Sequence, residues 1–362
     1  MLHYKEVKEG IKALLIGMSN GQRLPGRLQL MKLLDASRAT VDKAVKELEK
    51  EGVLFSRFGS GTYVARRLDG VIPQMENWCL IVPDAGEAVY AQLAEGVQKH
   101  AKKCSVHVIL CNSERSAQKQ AAYIERLIMA GVDGFIIVPA VSLRVPDNLE
   151  LYKMLQQSKI PFVFCCRDVE GVDAPIVKSN DFYGGYMATL HLLERGYKNI
   201  VYLSRQRYRT SIDRCQGYIS ALQHRNQPIE RKRIIMLEDE SMDMCCRRLE
   251  QLIQSDVSVD AVFGFNDTIA LMAMEHLKQM GLQISKDIGV IGYDDLADCL
   301  EAQPPLTSVA YQMAAVGEMA ARVLGKMIDQ EEKDGFAYYL IEPEIQERES
   351  CLGKDGGQDA KL

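Results

Sequence analysis

Long apolar runs are absent from the sequence. No stretch approaches the roughly 20 uninterrupted apolar residues that a membrane span requires, and lysine and glutamate interrupt the apolar residues of the first segment, MLHYKEVKEGIKALL. That segment therefore lacks the pattern of a secretory signal peptide. Together the two absences predict a protein of the cytoplasm with no membrane partner.

Residue types suited to metal binding or nucleophilic catalysis are also scarce. The chain has only 6 histidines, none beside a serine or cysteine in an arrangement that indicates a nucleophile. Its 10 cysteines include no Cys-x-x-Cys pair and no set at zinc-ligand spacing. Cys165-Cys166 and Cys245-Cys246 are adjacent pairs that redox chemistry would explain, but cysteine in a reducing compartment is mostly a small buried residue. The sequence predicts no metal and no cofactor.

Motifs that bind phosphate or build an esterase site are missing as well. The first strand of the large segment is followed by Pro83-Asp84-Ala85-Gly86 and not by G-x-G-x-x-G, and neither a Walker loop nor a G-x-S-x-G elbow occurs. Dinucleotide-dependent enzymes, P-loop nucleotidases and α/β-hydrolases are therefore not indicated.

Charge is distributed unevenly along the chain. The formal net charge is −5, yet residues 1–67 carry 13 lysines and arginines against 7 acidic residues, a balance of +6. The remaining residues therefore carry −11. A cationic segment joined to an acidic one predicts a polyanionic partner for the first segment alone.

The cationic segment has the pattern of three helices and a hairpin. The predicted elements are helices over 4–15, 28–34 and 37–51 and strands over 53–55 and 62–64. Ser37 is a good N-cap for the third helix, and Gly52 suits its left-handed end. The turn Gly59-Ser60-Gly61 joins the strands. This order predicts a winged helix-turn-helix.

The third helix predicts contacts to DNA. With its apolar face turned inward, Arg38, Thr40 and Lys43 stay near its exposed start, the end that enters the major groove in such motifs. Arginine there binds guanine O6 and N7 together, and a small wing tip lets backbone N–H groups approach phosphate. A solvated helix face and a plain hairpin turn would explain either feature alone, but their order along the segment favours DNA binding.

Residues 4–65 resemble the GntR-family DNA-binding domain. The matching motifs are Leu24-Pro25, Ser37-Arg38-Ala39-Thr40-Val41, Leu48-Glu49-x-Glu51-Gly52 and Gly59-Ser60-Gly61-Thr62-Tyr63-Val64. The resemblance implies that the helix arginine, the threonine after it and the wing glycines contact DNA. The predicted interface consists of Arg27, Ser37, Arg38, Thr40, Lys43, Ser60 and Gly61.

Two residues depart from the GntR pattern. Arg27 stands one step before the place where the family has a basic residue in its Leu-Pro-Ser-Glu-Arg run, and Asp42 replaces the frequent arginine after Thr-Val. Asp42 is placed to hold Arg38 by an i,i+4 pair or to accept from cytosine N4. The operator sequence is therefore expected to differ from the family norm.

From Trp78 onward, apolar strands alternate with helical patterns. The predicted strands are 79–82, 106–110, 134–138, 162–165, 200–203, 261–264 and 288–292, and the predicted helices are 88–102, 116–129, 183–193, 213–224, 244–254 and 268–280. Strict alternation predicts parallel, doubly wound sheets. Its length indicates two lobes with a ligand cleft at the carboxyl ends of the strands. The fold class is thus α/β, a winged helix-turn-helix followed by a two-lobed doubly wound body.

Polar side chains suited to a polyol follow several predicted strands: Arg214, Asn266, Asp267, Asp294 and Asp295. Carboxylate and amide oxygens accept hydrogen bonds from hydroxyl groups, and arginine donates them. Asp267 equally suits the first turn of a helix, and Asp295 suits a solvated turn. Arg214, Asn266 and Asp294 are therefore the stronger candidates.

Residues 78–348 resemble the LacI-family effector domain. The matching motifs are Gly184-Gly185, His191-Leu192-Leu193-x-x-Gly196, Arg214-x-x-Gly217-Tyr218-x-x-Ala221-Leu222, Asn266-Asp267-x-x-Ala270, Ile291-Gly292-Tyr293-Asp294-Asp295 and Pro304-Pro305-Leu306-Thr307-Ser308-Val309. A GntR-type head on such a body is similar to the arabinose repressor group. The resemblance implies a periplasmic-binding-protein-like fold, a sugar-like effector between the lobes, a homodimer, and effector contacts from Tyr90, Arg214, Asn266 and Asp294.

One departure concerns the effector. Where the family often has Asp-Arg after a strand, this chain has Cys166-Arg167. The loss of the carboxylate removes an acceptor for a sugar hydroxyl, so the resemblance does not imply arabinose itself. Arg167 is a further candidate effector residue, suited either to an acidic or phosphorylated sugar or to a structural ion pair.

The predicted organisation is a head, a linker, a two-lobed body and a disordered tail, at 1–67, 68–77, 78–350 and 351–362. The first lobe is predicted to combine about 78–176 with 309–335, and the second about 177–308 with 336–350.

The sequence predicts a dimeric, DNA-binding transcriptional repressor controlled by a sugar-like effector, and not an enzyme. The alternative is a cytosolic sugar-acting enzyme with Asp294 and Asp267 as acid and base, but no nucleophile or metal accompanies them and the cationic head would have no role. A transport protein would need the signal peptide that is missing. A GntR member with a different body is disfavoured by the motifs of residues 78–348.

Overall fold

Two units make up the chain, Met1–Met75 and Glu76–Leu362, here termed the head and the body. The computed structural model describes residues 4–16, 18, 21–57, 60–65, 76–104, 106–140, 148–157, 160–205, 209–237, 242–329 and 337–353. Most of the predicted linker, 68–75, lies outside these residues, and Asn77 already begins a strand of the body.

The head consists of three helices and a two-stranded wing. These are α1 (Tyr4–Leu15), α2 (Arg27–Leu33), α3 (Arg38–Lys50), β1 (Leu54–Arg57) and β2 (Gly61–Val64). The strands pair antiparallel, with Leu54 opposite Val64. Apolar residues from α1 and α3, including Ile11, Val41 and Val45, form a small core with no exposed surface. The predicted winged helix-turn-helix is confirmed.

The body alternates strands and helices. Its strands are β3 (Asn77–Val82), β4 (His107–Asn112), β5 (Gly134–Ile137), β6 (Phe162–Cys165), β7 (Ile176–Ser179), β8 (Ile200–Arg205), β9 (Ile234–Leu237), β10 (Ala261–Gly264), β11 (Gly289–Tyr293), β12 (Thr307–Ala310), β13 (Tyr338–Ile341) and β14 (Glu344–Gln346). Its helices are α4 (Ala88–Cys104), α5 (Ala117–Met129), α6 (Leu149–Gln157), α7 (Asp181–Glu194), α8 (Arg209–His224), α9 (Met242–Ile253), α10 (Asp267–Gln279), α11 (Asp298–Glu301) and α12 (Met313–Ile328).

These strands form two six-stranded sheets, which define two lobes. The first lobe has the order β13-β7-β6-β5-β3-β4 and the second β14-β12-β11-β10-β8-β9. All neighbours are parallel except β12 and β14. Central strands such as β5 and β10 are buried along their whole length, as parallel strands covered by helices on both faces require. The predicted α/β class is confirmed.

The predicted division into lobes is wrong at three places. It assigned 336–350 to the second lobe, but β13 pairs with β7 in the first sheet and only β14 joins the second. It also cut β7 at residue 176, whereas the whole strand belongs to the first sheet. Finally, it cut β12 after residue 308, whereas the whole strand belongs to the second sheet. Both β13 and β14 are short and only partly buried, so their sequence pattern does not indicate which sheet each strand joins.

The predicted disordered tail begins too early. Cys351 is 1% exposed and lies in the core of the body, and the backbone N–H of Gly353 donates to the hydroxyl of Tyr197 at 3.3 Å. Residues 354–362 lie outside the described residues. Because most residues of the tail are polar, the sequence did not indicate that the buried side chain of Cys351 fixes the start of the tail.

Helices α7 and α8 approach each other closely at two glycines. A Cβ atom on Gly185 would lie 2.2 Å from the carbonyl oxygen of Arg214, and one on Gly217 would lie 2.1 Å from that of Phe182. Neither position has room for a side chain. The contact holds α8 against the start of α7 and so places Arg214 beside Asp181.

Gly185→Ala is expected to lower the free energy of unfolding by about 1–3 kcal/mol, because an overpacked contact forces the backbones apart. The shift also moves Arg214, so effector binding is expected to weaken. Urea unfolding of the purified chain measures the first effect. Gln216→Ala, on the exposed side of α8, is the matched control. Equal stability of the two variants would contradict the close packing.

In the described part of the chain, no helix has both the length and the apolar character needed to cross a membrane.

Candidate functional site

The start of α3 carries the first group of predicted DNA-binding residues. Ser37 caps the helix, since its Oγ accepts from the backbone N–H of Thr40 at 3.2 Å and shares a hydrogen bond with the Thr40 hydroxyl at 2.7 Å. These two hydroxyl groups therefore fix the helix start. The side chain of Arg38 is 76% exposed, which leaves its guanidinium accessible to a groove.

Asp42 pairs with two arginines, of which only Arg38 was predicted. The i,i+4 pair with Arg38 is present but long, with Nε of Arg38 3.9 Å from one carboxylate oxygen, and the other oxygen accepts from Nε of Arg27 at 2.7 Å. Arg27 also donates to the hydroxyl of Thr62 in the wing at 3.3 Å. Arg27 thus ties α2 to α3 and to the wing, and Arg38 is left more available for bases than the expected i,i+4 pair implied.

The remaining predicted residues lie on α3 and at the wing tip. Lys43 places its Nζ 4.0 Å from the ring centre of Tyr4, and Ser60 is exposed with its hydroxyl bonded to that of Tyr63. Gly61 has a φ of 131°, and a Cβ there would lie 2.8 Å from Nε of Arg23. Gly59 lies outside the described residues.

Two exposed arginines beside the wing were not predicted. Arg23 contacts Gly61, as just described, and forms an isolated bridge with Tyr63. The guanidinium of Arg57 lies 5.4 Å from the ring centre of Phe55 and 5.7 Å from that of Tyr63. Arg57 could have been predicted from the sequence, because it is close to the wing glycines along the chain. Arg23 could not, because only the folded structure brings it next to Gly61.

A cavity of about 470 Å³ lies in the body, within the roughly 300–1,000 Å³ typical of small-molecule sites. It is lined by Glu87, Ala88, Val89, Tyr90, Arg115, Cys166, Arg167, Arg205, Thr210, Arg214, Phe265, Asn266, Thr268, Asp294, Leu296, Tyr311 and Met313. Residues of both lobes contribute. Several directly follow β6, β10 and β11, and Arg205 is the last residue of β8, so they lie at the carboxyl ends of the strands. All five predicted effector residues, including Arg167, line this cavity.

Arg214 is the most strongly held side chain of the cavity. It is 3% exposed, and its Nε donates to Asp181 at 2.9 Å while another nitrogen donates to the carbonyl oxygen of Phe265. Its guanidinium carbon lies over Tyr293, 3.5 Å from the ring centre, a position that favours a cation. Asp294 lies 3.7 Å from it. Arg214 is therefore a rigid, charged donor whose geometry is set before any ligand binds.

Asp294 combines an unusual backbone with a weakly solvated carboxyl group. Its φ is 111°, a left-handed value that costs a non-glycine residue about 1–3 kcal/mol and is found mainly at functional sites. Burial raises the pKa of Asp294 to about 8; Arg214 opposes this shift, and the carboxylates of Asp267, Asp181 and Glu87 add to it. The carboxyl group is thus largely protonated at neutral pH and able to donate as well as accept.

Asp294→Asn is expected to remove a pH-dependent loss of stability. The pKa in the folded chain, about 8, lies above the ordinary value of 3.8, so folding favours the protonated form. The resulting stability is present below pH 4 and is lost as pH rises through 8. The Tm of the natural chain should therefore fall relative to that of Asp294→Asn between pH 5 and pH 9. Asp298→Asn, at an exposed position, is the control, and parallel curves for all three proteins would contradict the assignment.

Asn266, Tyr90 and Arg167 complete the predicted set. Oδ1 of Asn266 caps α10 by accepting from the backbone N–H of Ile269 at 3.1 Å. This fixes the side chain at the cavity wall, with its amide nitrogen as the donor for a ligand. Arg167 donates to the hydroxyl of Tyr90 at 3.0 Å and to the carbonyl oxygen of Pro139 at 3.1 Å. The family carboxylate is replaced by Cys166, whose thiol has a pKa raised to about 12 by burial.

The two weaker candidates bind protein groups. Asp267 is fully buried, with one oxygen accepting from the hydroxyl of Ser308 at 2.6 Å and the other from the backbone N–H of Leu296 at 2.8 Å. Asp295 accepts from Arg348 at 2.6 Å. Neither lines the cavity. Both carboxylates hold the chain around β11 and β12 in place.

Several cavity residues were not predicted, notably Arg115, Arg205 and Tyr311. Arg115 has a φ of 58° and pairs with Glu87 and, at 3.4 Å, with Asp84. Arg205 is the last residue of β8. Because ligands of doubly wound folds bind at the carboxyl ends of the strands, Arg205 could have been predicted from the sequence. No group of three or more His, Cys, Asp or Glu side chains within the described ranges is arranged to hold a metal ion.

Comparison with known proteins agrees with both units. Residues 76–344 match the family of periplasmic binding proteins and the sugar-binding domain of the LacI family, and residues 3–64 match the bacterial regulatory proteins of the gntR family. The arabinose metabolism transcriptional repressor of Geobacillus stearothermophilus is 25% identical over 354 residues, which cover 96% of this chain and 97% of the relative.

Two further relatives support the same assignment. The HTH-type transcriptional repressor PurR of Vibrio atlanticus (strain LGP32) is 31% identical over 271 residues, covering 74% of this chain and 79% of the relative. The solved structure of a transcriptional regulator CelR-cellobiose complex superposes with a TM-score of 0.67 at 24% identity, covering 97% of this chain and 100% of that one, which shows the shared fold. The chain therefore belongs to the family of periplasmic binding proteins and LacI-type sugar-binding domains, and it carries a GntR-family DNA-binding head.

Proposed function

We propose that this protein is a cytoplasmic transcriptional repressor that binds operator DNA through its head and a small sugar-like effector in the body cavity. The observation that carries the proposal is the presence, in one chain, of an exposed Arg38 at the start of a recognition helix and of a cavity lined in part by charged and polar side chains at the carboxyl ends of the strands. Repressors among the relatives, including one of arabinose metabolism, support the same assignment.

The head provides the proposed DNA contacts. Arg38 and Thr40 face the major groove, with Lys43 behind them, while Ser60 and Gly61 of the wing approach the backbone with Arg23 and Arg57 beside them. Ser37 orients the helix start, and Arg27 holds the recognition helix to the wing. Exposed arginines supply both the bidentate base contact and the phosphate contacts of such an interface.

The cavity provides the proposed effector contacts. Arg214 and Asn266 donate hydrogen bonds to oxygen atoms of the effector, and Asp294 binds one of its hydroxyl groups. Tyr90 and Arg167 contact the effector from the first lobe. Because the lining comes from both lobes, a bound effector stabilises one arrangement of the lobes over the other. The effector then changes operator affinity to the extent that it binds one arrangement of the lobes more tightly than the other.

A homodimer is the proposed active form. Within the described residues, β4 is an edge strand of the first sheet and pairs only with β3; its Ile109 and Leu110 are 37% and 45% exposed. Exposed apolar side chains on an edge strand are unfavourable in water unless another surface covers them. If a second copy of the body covers this edge, the dimer presents two heads to a palindromic operator.

Leu110→Glu is expected to convert the dimer to a monomer, since the charge would be buried against its own copy. Operator affinity should fall with it, because two linked heads bind far more tightly than one. Sedimentation velocity measures the oligomeric state. Met129→Glu, at an 80% exposed position, is the control, and a Leu110→Glu protein that remains dimeric would contradict this interface.

The enzyme alternative is not favoured by the site. Of the two carboxylates that it requires, Asp267 is fully engaged by Ser308 and Leu296 and does not reach the cavity. Incubation with pentoses, hexoses, sugar acids and sugar phosphates, followed by chromatography, should show no turnover.

The proposed function is tested with duplexes selected from a random library by the full-length chain. Gel shifts on an enriched duplex are then repeated with each sugar of that panel. A sugar that stabilises the protein thermally should also weaken operator binding about 5- to 150-fold, the usual range of allosteric coupling. Failure to enrich any duplex would overturn the DNA-binding assignment, and a bound sugar without effect on the shift would overturn the control by effector.

A further inference from the structure

Unpartnered polar atoms are concentrated at the cavity. Across the described residues, three buried side-chain nitrogen or oxygen atoms have no hydrogen-bond partner: Oδ2 of Asp181, Nε of Arg205 and the hydroxyl of Tyr311. Arg205 and Tyr311 both line the cavity, and Asp181 lies behind Arg214. Proteins rarely leave such atoms without a partner, so the cavity residues are arranged for groups that the ligand supplies.

Two of the four cavity arginines have acidic partners. The arginines that line the cavity are Arg115, Arg167, Arg205 and Arg214. Arg115 pairs with Glu87 and Asp84. Arg214 pairs with Asp181 and lies 3.7 Å from Asp294. A neutral sugar would add no counter-charge for Arg205, and a charge without a partner is unfavourable in a partly enclosed site.

Arg205 differs from the other arginines of the cavity. Among the described residues, its guanidinium forms neither an ion pair nor a side-chain hydrogen bond, in contrast to Arg214 and Arg115. It ends β8 of the second lobe and lines the cavity. Arg167, which follows β6 of the first lobe, lines the same cavity.

We propose that the effector carries an anionic group, a phosphate or a carboxylate, and that Arg205 binds this group. A guanidinium presents two parallel N–H donors that match two oxygens of either anion. Tyr311 donates its hydroxyl to another ligand oxygen. Arg205 belongs to the second lobe and Arg167 to the first. An anion in the cavity attracts both arginines and therefore stabilises closure of the lobes. This inference rests on the proposed effector control and specifies the chemical class of the effector.

Matched ligands test the proposal on the full-length chain. Isothermal titration calorimetry compares glucose with glucose 6-phosphate and gluconate, and arabinose with arabinose 5-phosphate and arabinonate, with inorganic phosphate as a separate probe. We expect at least one charged member to bind 10-fold or more tightly than its neutral parent. Preference for the phosphate esters or for the sugar acids identifies which anion the site accepts.

Variants assign that preference to Arg205. Arg205→Gln should bring the charged and neutral members of a pair to similar affinities, and Arg205→Lys should restore part of the difference. Arg248→Gln, which removes an exposed arginine of the same body, should retain the full preference. The Tm of ligand-free Arg205→Gln should equal or exceed that of the natural chain, because the variant removes a half-buried cation whose buried Nε has no hydrogen-bond partner among the described residues.

Three outcomes would overturn the proposal. Equal binding of neutral and charged sugars, with operator release by the neutral one, would refute the anionic effector and leave the proposed function intact. An unchanged preference in Arg205→Gln would refute the role of Arg205. Binding of no sugar in either series, with operator binding retained, would refute the sugar-like effector and the anionic class together.

Discussion

Arg38→Ala is expected to reduce operator affinity roughly 30- to 25,000-fold while leaving effector binding unchanged. A bidentate arginine–guanine contact contributes about 1–3 kcal/mol of discrimination against the wrong base, and a dimer on a palindromic site loses it twice. The 76% exposure of Arg38 and its 3.9 Å separation from Asp42 leave the guanidinium available for that contact. Fluorescence anisotropy of a labelled operator measures the loss.

The matched control for Arg38→Ala lies on the same helix. Lys50 is exposed at the opposite end of α3, so Lys50→Ala removes one positive charge without touching the proposed base contact. It should weaken specific and non-specific DNA alike, and only slightly. Arg38→Ala should instead lose the distinction between operator and random duplex. An Arg38→Ala protein that still prefers its operator would contradict the groove assignment.

Arg214→Ala is expected to abolish the response to effector and to destabilise the chain by about 3–5 kcal/mol, the usual effect of leaving one member of a buried ion pair alone. Asp181 is buried and loses its partner at 2.9 Å. For a domain of this size, the change corresponds to a fall in Tm of roughly 6–20 °C. Thermal unfolding measures the destabilisation, and operator release measures the response.

A double variant separates the two effects of Arg214. Arg214→Met with Asp181→Asn removes both charges and keeps similar volumes, so most of the stability should return. The effector response should not return, since the donor aimed into the cavity is still missing. The double variant then holds its operator at every effector concentration. Release of operator by effector from this variant would show that Arg214 acts on stability alone.

The sequence predicted the head well because local signals suffice there. The cap at Ser37, the apolar spacing of α3 and the glycines of the wing are each readable within a few residues. The pairing of Arg27 with Asp42 was not predicted, since it joins residues 15 positions apart on two helices whose packing no local pattern specifies. Arg23 escaped prediction for the same reason, because only the fold brings it to Gly61.

The body shows where local patterns are insufficient. Arg214, Asn266 and Asp294 were predicted from polar side chains after predicted strands and from family motifs, and the structure places all three at one cavity. The partner of Arg214, Asp181, was not predicted, because the pair depends on two helices meeting at Gly185 and Gly217. Edge strands such as β13 are short and partly buried, so their periodicity does not reveal which sheet they join.

Operator release by effector, followed by anisotropy with the full-length chain and a selected duplex, tests the central claim most directly. The account predicts a tight complex without ligand, weakened about 5- to 150-fold at saturating effector, insensitive to effector in Arg214→Met with Asp181→Asn, and lost in Arg38→Ala. Operator affinity that stays the same at saturating effector, in a protein whose cavity is shown by calorimetry to be occupied, would contradict it.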